Sequence, residues 1–596
     1  MKLESSPKIF DGYKSDYPEN TIRKIETGLK EIGLKLKYKE IKIKSAGFSS
    51  YSVDLFLEDF GFKTTGKGIS KILAKASAYA EMAERISSGF VFYYTLNSDF
   101  EKYHEILKNV INRKFLKGHT INKNNSLISL EKINDILQKN IEIEQYKFLK
   151  KNNIFDILID CYSVLNNNTL KIPINFIELS SGSNGLAAGN TYEEAISQGS
   201  CEIFERYVAC KIVSEKITCP TVDIDTIDDE RIYNFVEMLN SLNIEVIIKD
   251  FTLNNRFPVM GILFINHNIE KDDNPIKKDR YYKMINPGSH LNLNEAILRC
   301  LVERLQEVSK EELMFRKNAD ILYKFWTSDI KGQCKKIKKN FKHFFKQFYY
   351  YGDLSFLEKG PLMSFNKLKS IHYDDFFKEI EYIKKICLRE KWDLALVDCK
   401  HKTLNFPVVR VIIPPISIDS NPYVRSFLKS KNIKEQFNFL YEIKDFDKYI
   451  YGNRWLNNSK LIDKLIKNIE NFLSTDLFSF EMELKRGPFY KIINLFHVLA
   501  FCNLAIEKYD KSLKYFKFLE KQRKKNHLKI KYFNKLYNPT FDDSLYSNYI
   551  KKINKNNCRL DYNFSKNPFF DDKKEDISDL RINKLLEKFS KSYFKK

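Results

Sequence analysis

Hydrophobic and polar positions follow two different periods near the start of the chain. A helical period predicts an amphipathic helix over residues 18–33, and alternation predicts strands over 34–44 and 52–60. The glycine-rich stretch GFKTTGKG (61–68) predicts a turn, followed by a helix over 69–87. The pattern therefore mixes helices with strands from the beginning.

The same mixture continues through the middle of the chain. Apolar or alternating runs predict further strands at 154–162, 244–251, 259–266, 394–399 and 408–415. Two more helices are predicted behind turn signals, one ending near Val213 after ELSSGSNGLAAGNTYEEA (178–195), the other over 294–312 after NPGSH. These elements predict an α/β (α+β) fold.

The last part of the chain has a different pattern. From about Asp463 the periodicity is helical, and HVLAFCNLAIEKYDKSLKYFKFLEK (497–521) is typical of a tetratricopeptide helix pair. We therefore predict a main domain over 1–455, with a variable insertion at 91–170, and a helical C-terminal domain over 456–596.

Composition limits the class of protein. The 596 residues are 43% hydrophobic, enough for sizeable cores, and no apolar run reaches the length of a membrane-spanning helix. The first residues lack the apolar core of a signal peptide, so we expect a soluble, cytoplasmic chain with no membrane partner. The ten cysteines contain no CxxC pair, which predicts buried thiols in a reducing compartment.

The formal net charge of +23 raises the question of an anionic partner. Lysine greatly outnumbers arginine, the residue preferred for bidentate phosphate and guanine contacts. The basic stretches at 335–346 and 520–535 are the best candidates for such a partner, but solvated helix faces explain them better. We predict no direct binding of nucleic acid.

Three of the predicted helices share one register. Glu81, Glu202 and Glu303 each follow an alanine by seven residues and precede Glu84, Glu205 or Gln306 by three. Positions three, four and seven apart lie on one face of a helix, so each helix carries a polar stripe. The stripes consist of Ala74, Ser77, Glu81 and Glu84; of Glu194, Gln198, Glu202 and Glu205; and of Glu295, Arg299, Glu303 and Gln306.

Carboxylates gathered from separate helices are suited to a hard cation. Mg²⁺ prefers oxygen ligands and commonly bridges protein carboxylates to nucleotide phosphates, and the glycine turns put backbone N–H groups at helix starts, where phosphates bind well. A single stripe would be an ordinary solvated helix face, but three in one register favour a function. GFKTTGKG differs from the P-loop pattern GxxxxGK[ST] at one position, where Gly68 stands in place of the residue with the Mg²⁺-binding hydroxyl.

These motifs resemble the YcaO family, whose members use ATP to activate amide backbones. The resemblance rests on Ser77-x3-Glu81-x2-Glu84-Arg85, on SNGLAAGNTYEEAISQGSCEIFER (183–206) and on EAILRCLVERLQ (295–306), in the family's order. It covers about residues 20–440. It implies a core of ferredoxin-like split βαβ halves, with ATP and Mg²⁺ as cofactors.

The resemblance also implies site residues. The implied Mg²⁺ ligands are Glu81, Glu84, Glu202, Glu205 and Glu303. The implied nucleotide contacts are Ser77, Glu194, Gln198, Arg206, Arg299 and Gln306, with Ser183 and Asn184 in the turn that shapes the pocket. No catalytic nucleophile is required, so Cys201 and His290 are expected to be core or helix-start residues.

The function implied is ATP- and Mg²⁺-dependent phosphorylation of a peptide or protein amide oxygen. The subgroup with a helical extension implies an accessory role in methylthiolation of a ribosomal protein. Two departures keep alternatives open: Ala187 stands where the subgroup has serine, and the chain ends KLLEKFSKSYFKK without the proline-rich tail of heterocycle-forming members. The alternatives are a non-catalytic nucleotide-binding scaffold that recruits a modifying enzyme or ribosomal partner, and a thioamide-forming enzyme. A homodimer is also open.

Overall fold

The computed structural model describes residues 3–45, 48–57, 62–89, 129–151, 158–272, 281–304 and 354–419, with single positions and short runs elsewhere. The helices in these regions are α1 Pro18–Ile32, α2 Lys71–Ser87, α3 Leu130–Leu137, α4 Ile143–Lys151, α5 Ile174–Ser181, α6 Tyr192–Glu215, α7 Glu230–Ser241, α8 Leu293–Arg304, α9 Ser355–Glu358, α10 Phe376–Glu390 and α11 Ile416–Asp419. The strands are β1 Leu36–Ser45, β2 Phe48–Leu57, β3 Lys63–Gly68, β4 Leu158–Ser163, β5 Asn168–Pro173, β6 Leu186–Ala188, β7 Thr221–Asp223, β8 Ile244–Asp250, β9 Val259–Asn266, β10 Lys283–Ser289, β11 Leu362–Ser364, β12 Ala395–Asp398 and β13 Val408–Ile412.

The strands form three sheets. One has the order β1-β2-β3, the second β10-β9-β8-β7-β11 and the third β5-β4-β12-β13-β6. The parallel pair β7–β11 joins strands far apart in the chain, and the other pairs are antiparallel. The mixed α/β prediction is confirmed. The division into ferredoxin-like halves and the domain boundaries stay predictions.

Several predicted features lie outside the described residues. They are residues 91–128 of the insertion predicted at 91–170, the basic stretches at 335–346 and 520–535, and nearly all of the predicted C-terminal helical domain over 456–596. Within the described part of the chain, no helix is long and apolar enough to cross a membrane.

The prediction of a turn at 61–68 is wrong, because most of that stretch is strand β3. It pairs with β2 from Phe56↔Lys63 to Tyr51↔Gly68. Glycine serves here for close packing: a Cβ on Gly66 would lie 2.0 Å from the carbonyl oxygen of Ala74 in α2. The glycines that suggested a turn therefore indicate a strand that lies directly against a helix backbone.

The same contact recurs before the other two helices of the shared register. A Cβ on Gly288 of β10 would lie 2.3 Å from the carbonyl oxygen of Ala296 in α8. A Cβ on Gly189, just after β6, would lie 2.6 Å from the backbone nitrogen of Ala195 in α6. The shared alanines thus mark where each helix is packed against the preceding strand or turn.

Helix α6 is the central helix of one hydrophobic core. Its Ile196, Ile203 and Phe204 are fully buried and pack in one cluster with Val409 and Val411 of β13. Burying each of these side chains contributes roughly 1.5–3 kcal/mol. Because α6 is anchored in this way, its polar side chains are held in defined positions.

His401 makes the stability of the fold depend on pH. The side chain is fully buried, its Nδ1 accepts the backbone N–H groups of Thr403 and Leu404, and burial lowers the pKa of the imidazole from 6.5 to about 3. The unfolded chain binds the proton more readily between these values, so stability should be full above about pH 6.5 and fall as the pH drops toward 3. Urea unfolding across this range measures it, and His401→Gln should flatten the dependence; an unchanged slope would contradict the assignment.

Candidate functional site

Helix α2 presents two carboxylates paired with one arginine. Glu81 accepts the Nη2 hydrogen of Arg85 at 3.0 Å, and Glu84 accepts from the Nη1 of the same guanidinium. The backbone N–H of Thr65 in β3 donates to Glu81 at 3.2 Å. Arg85, one turn after Glu81 and next to Glu84, therefore holds both glutamates, and the preceding strand also holds Glu81.

Helix α6 repeats this arrangement with different residues. Arg206 lies 3.9 Å from Glu202 and 3.6 Å from Glu205. The backbone N–H of Gly185, in the turn before β6, donates to Glu202 at 3.2 Å. The register seen in the sequence thus corresponds to two similar three-dimensional arrangements of glutamate, arginine and backbone N–H.

The third helix joins these two sets through a lysine. Glu303 of α8 forms an ion pair with Lys67 of β3, and the carboxylates of Glu205, Glu81 and Glu202 lie close enough to act electrostatically on the same ammonium. The glutamates of α2, α6 and α8 therefore surround one group and do not lie on separate surfaces.

Crowding of carboxylates shifts the proton affinities at this centre. Burial, together with the neighbouring carboxylates of Glu202 and Glu81, raises the pKa of Glu84 to about 8. Burial likewise raises the pKa of Glu205 and lowers the pKa of Lys67 to about 8. The proton affinities at this centre are therefore set by burial and by repulsion between neighbouring carboxylates.

The chemistry of these donors fits Mg²⁺, although the present contacts are to protein cations. All five predicted ligands offer carboxylate oxygens, the donors that Mg²⁺ prefers. Within the described residues, no three Asp, Glu, His or Cys side chains are gathered closely enough to hold a metal ion. The glutamates instead contact Arg85, Arg206 and Lys67. Their role as ligands stays a prediction.

Two of the predicted nucleotide contacts touch each other next to this centre. The Nη2 of Arg299 donates to Oε1 of Gln198 at 2.7 Å, which connects α8 to α6. The Nη1 of Arg299 donates to the carbonyl oxygen of Ser289 at 3.0 Å. The guanidinium is thereby oriented between the two helices.

The remaining predicted residues lie in different surroundings. Asn184 is buried, with 7% of its surface exposed, and neither polar atom of its side-chain amide has a hydrogen-bond partner. Ser183 lies in the same turn, where its carbonyl accepts the N–H of Leu186. Ser77 is exposed on α2, and Gln306 lies outside the described residues.

The N-terminal arm, residues 3–17, contacts Glu194, one of the predicted nucleotide contacts, and the sequence did not predict this. Lys14 Nζ lies 3.1 Å from Glu194 Oε1, and Ser15 donates to Oε2 through its backbone N–H and its hydroxyl. Asn190 donates to Oε2 as well. Burial raises the pKa of Glu194, but Lys14 and these hydrogen bonds outweigh it and leave the pKa lowered. The signal available was the lysine–serine pair just before α1, and its partner lies about 180 residues away.

Cys201 and His290 are both buried. Cys201 is buried within α6, and burial raises the pKa of its thiol to about 12. Burial lowers the pKa of His290 well below its usual value, and its Nδ1 accepts the N–H of Asn292 just before α8. The cysteines in the described regions are all buried free thiols.

Replacing Glu194 with glutamine should loosen the N-terminal arm. The neutral amide cannot form the ion pair with Lys14, and one oxygen can no longer accept all the hydrogen bonds made by Ser15 and Asn190. Amide hydrogen exchange in residues 3–17 should accelerate by roughly tenfold, the effect of losing one charge-assisted hydrogen bond. The exposed Glu19 offers a matched control as Glu19→Gln; equal exchange in both variants would contradict this account of the arm.

The described residues include an α/β domain in which three helices, each packed against a preceding strand or turn, direct glutamates toward one centre. Residues 65–417, more than half of the chain, match the family model described as YcaO cyclodehydratase, ATP- and Mg²⁺-binding. The chain belongs to the YcaO family, and its domain is an ATP- and Mg²⁺-binding domain.

Curated relatives match part of this region. The chain is 28% identical over 260 residues to the ribosomal protein S12 methylthiotransferase accessory factor YcaO of Escherichia coli, covering 41% of the chain and 40% of that protein. An uncharacterized protein of Haemophilus influenzae is 28% identical over 269 residues, with coverages of 42% and 41%. The matches therefore span about two fifths of the length of these relatives.

Solved structures of similar proteins include YcaO from Methanopyrus kandleri bound with AMPPCP and Mg²⁺. That structure is 15% identical, with a TM-score of 0.44, and the match covers 70% of this chain and 96% of that one. A heterocyclase in complex with substrate and cofactor is 18% identical, with a TM-score of 0.45 and coverages of 70% and 54%.

Proposed function

We propose that this protein uses ATP and Mg²⁺ to phosphorylate the oxygen of a backbone amide in a peptide or protein. The observation that carries the proposal is the convergence of Glu81, Glu202, Glu205 and Glu303 around Lys67, beside the paired Gln198 and Arg299. A site of clustered carboxylates with adjoining arginines suits a metal-bridged polyphosphate better than an uncharged ligand.

The proposed reaction needs no protein nucleophile. The amide oxygen attacks the γ-phosphorus of ATP, an O–P bond forms, and ADP leaves with the electron pair of the broken bond. An external nucleophile then adds to the activated carbon, and the former amide oxygen departs as phosphate. The protein must position the two reactants and balance the charge of the triphosphate.

We assign roles within that reaction by position. Mg²⁺ held by Glu81, Glu84, Glu202, Glu205 and Glu303 would supply charge neutralisation at the phosphates. The guanidinium of Arg299, oriented by Gln198, would donate to phosphate oxygens, and Arg206 would do so once its glutamates turn toward the metal. Glu194, with the N-terminal arm across it, would close the end of the pocket at the start of α6. Ser77 on α2 and Gln306 complete the proposed nucleotide contacts, and Ser183 and Asn184 shape the turn beside Glu202.

The substrate class we favour is a ribosomal protein. The relative in Escherichia coli is named as an accessory factor of ribosomal protein S12 methylthiotransferase, so we propose an accessory role in the same kind of modification, with a modifying enzyme as partner. The proposal places the chain in the cytoplasm.

An oxygen-transfer experiment tests the proposal. Ribosomal protein S12 labelled with ¹⁸O at its backbone carbonyls is incubated with the full-length protein, ATP, Mg²⁺ and a sulfide donor, and the released phosphate is analysed by mass spectrometry. Transfer of one ¹⁸O atom into phosphate is expected. Release of unlabelled phosphate would show simple hydrolysis of ATP and contradict amide activation.

A nucleotide-binding scaffold is the second candidate. The observation that favours it is Ala187, whose methyl group is buried in the apolar cluster around α6 and offers no hydroxyl to a nucleotide. A scaffold would bind AMPPNP with Mg²⁺ yet release no phosphate in the same assay. Formation of a thioamide, the remaining alternative, is the same activation with sulfide as the nucleophile, and it would give labelled phosphate together with a product in which sulfur replaces the labelled oxygen.

A further inference from the structure

Lys67 is the cation at the centre of the acidic site. It is the next-to-last residue of β3, and its ammonium pairs with Glu303 of α8. Its side chain is 28% exposed and that of Glu303 is 39% exposed. Both side chains are therefore half-buried, and part of each remains in contact with solvent.

Lys67 differs from the two arginines of the site in how it is held. Arg85 and Arg206 lie on the same helices as the glutamates they pair with, so they move with them. Lys67 reaches from a strand to a glutamate on α8, a different element. A lysine carries a compact charge on a flexible four-carbon stem, whereas a guanidinium is a rigid fork. Of these cations, Lys67 is the one suited to changing partners.

A divalent cation would give Lys67 a reason to change partners. Ion pairs join the five glutamates to Arg85, Arg206 and Lys67, and the one made by Glu303 is with Lys67. A divalent cation bound to Glu303 would compete with the ammonium for the same oxygens. The displaced ammonium would then lie beside the anionic phosphates that accompany the metal.

The sequence of β3 agrees with this role. Lys67 is the second lysine of GFKTTGKG, the stretch that nearly matches a P-loop. The stretch forms a strand and not a phosphate-binding loop, so the resemblance to a P-loop does not explain the lysine. The contact with Glu303 does.

We propose that Lys67 is an exchangeable counter-cation: it balances Glu303 and its neighbours in the metal-free protein, gives up these carboxylates when Mg²⁺ binds, and then contacts the phosphate oxygens of the nucleotide. The inference rests on the proposed function. An ion pair between Lys67 and Glu303 that only stabilises the fold would affect the affinities for Mg²⁺ and nucleotide differently.

Calorimetric titrations of Lys67→Met, with Lys67→Gln as a second variant, test the exchange. In the absence of nucleotide, Mg²⁺ should bind either variant more tightly by about fivefold, because the competing ammonium is gone. In the presence of Mg²⁺, AMPPNP should bind more weakly by about tenfold, because a charge-assisted contact to phosphate is lost. A structural ion pair would lower both affinities or leave both unchanged.

Lys63→Met is the matched control, since Lys63 lies on the same strand and pairs with Asp54. It should change neither affinity. If the wild-type protein fails to bind AMPPNP with Mg²⁺, the proposed function is wrong. If the wild-type protein binds it but Mg²⁺ affinity is unchanged or lower in both Lys67 variants, the exchange alone is overturned.

Discussion

Replacing Glu202 with glutamine should abolish ATP-dependent phosphate release while the protein stays folded. Glu202 lies in the acidic centre, accepts the N–H of Gly185 and is only loosely paired with Arg206 at 3.9 Å. Glutamine keeps an oxygen that can accept the same N–H, but it removes a negative charge from the proposed Mg²⁺ site. We expect a loss of activity on the order of 100-fold or more, the range seen when one electrostatic contact to a reacting centre is removed.

Stability should move in the opposite direction from activity. The carboxylate of Glu202 contributes to the raised pKa of Glu84 and of Glu205, so its removal relieves repulsion within the site. The melting temperature without Mg²⁺ should hold or rise. Glu215→Gln, on the exposed end of α6 beside Lys211, is the control and should retain full activity. A large drop in melting temperature would instead show that Glu202 mainly serves as a structural partner of Arg206.

Replacing Gly288 with alanine should destabilise the domain strongly. The added Cβ would lie 2.3 Å from the carbonyl oxygen of Ala296 and 2.8 Å from Sγ of Cys300. The first contact is with backbone, so β10 and α8 must move apart. Overpacking of this kind costs about 3 kcal/mol.

The damage should extend to the site, because α8 carries Arg299 and Glu303. Chemical unfolding measures the loss of stability, and AMPPNP titration measures the loss of binding. Lys283→Ala, on the same strand but in a partly exposed ion pair with Glu358, should cost less than about 1 kcal/mol. Equal stability of the two variants would mean that β10 and α8 are not in direct backbone contact.

The sequence predicts the parts of the fold that follow from local periodicity. The predicted helix at 18–33 corresponds to α1, and the predicted strand at 259–266 corresponds to β9 residue for residue. The stretch at 61–68 was misassigned because glycine in a turn and glycine in a tightly packed strand leave the same trace in one sequence. Only the neighbouring helix backbone, at Ala74, distinguishes the two.

The candidate site was predictable where it repeats along the chain and hidden where it depends on distant partners. Three glutamates with one register pointed to a common centre, since their spacing places them on equivalent helix faces. The pairing of Lys67 with Glu303, and of Lys14 with Glu194, joins residues far apart in sequence. No periodic pattern encodes such contacts, because they arise only when separate elements pack together.

The contact between glycine and alanine also bears on which length changes the chain can accept. Each glutamate of the shared register follows its alanine by seven residues, whereas the preceding glycine lies eight, six or eight residues before that alanine. The loop ahead of each helix can therefore lengthen or shorten without moving the carboxylate. One residue inserted between alanine and glutamate would turn the side chain by about 100° around the helix axis. Among related sequences, insertions and deletions should accumulate before Ala74, Ala195 and Ala296. They should be excluded from the seven-residue interval between each alanine and its glutamate.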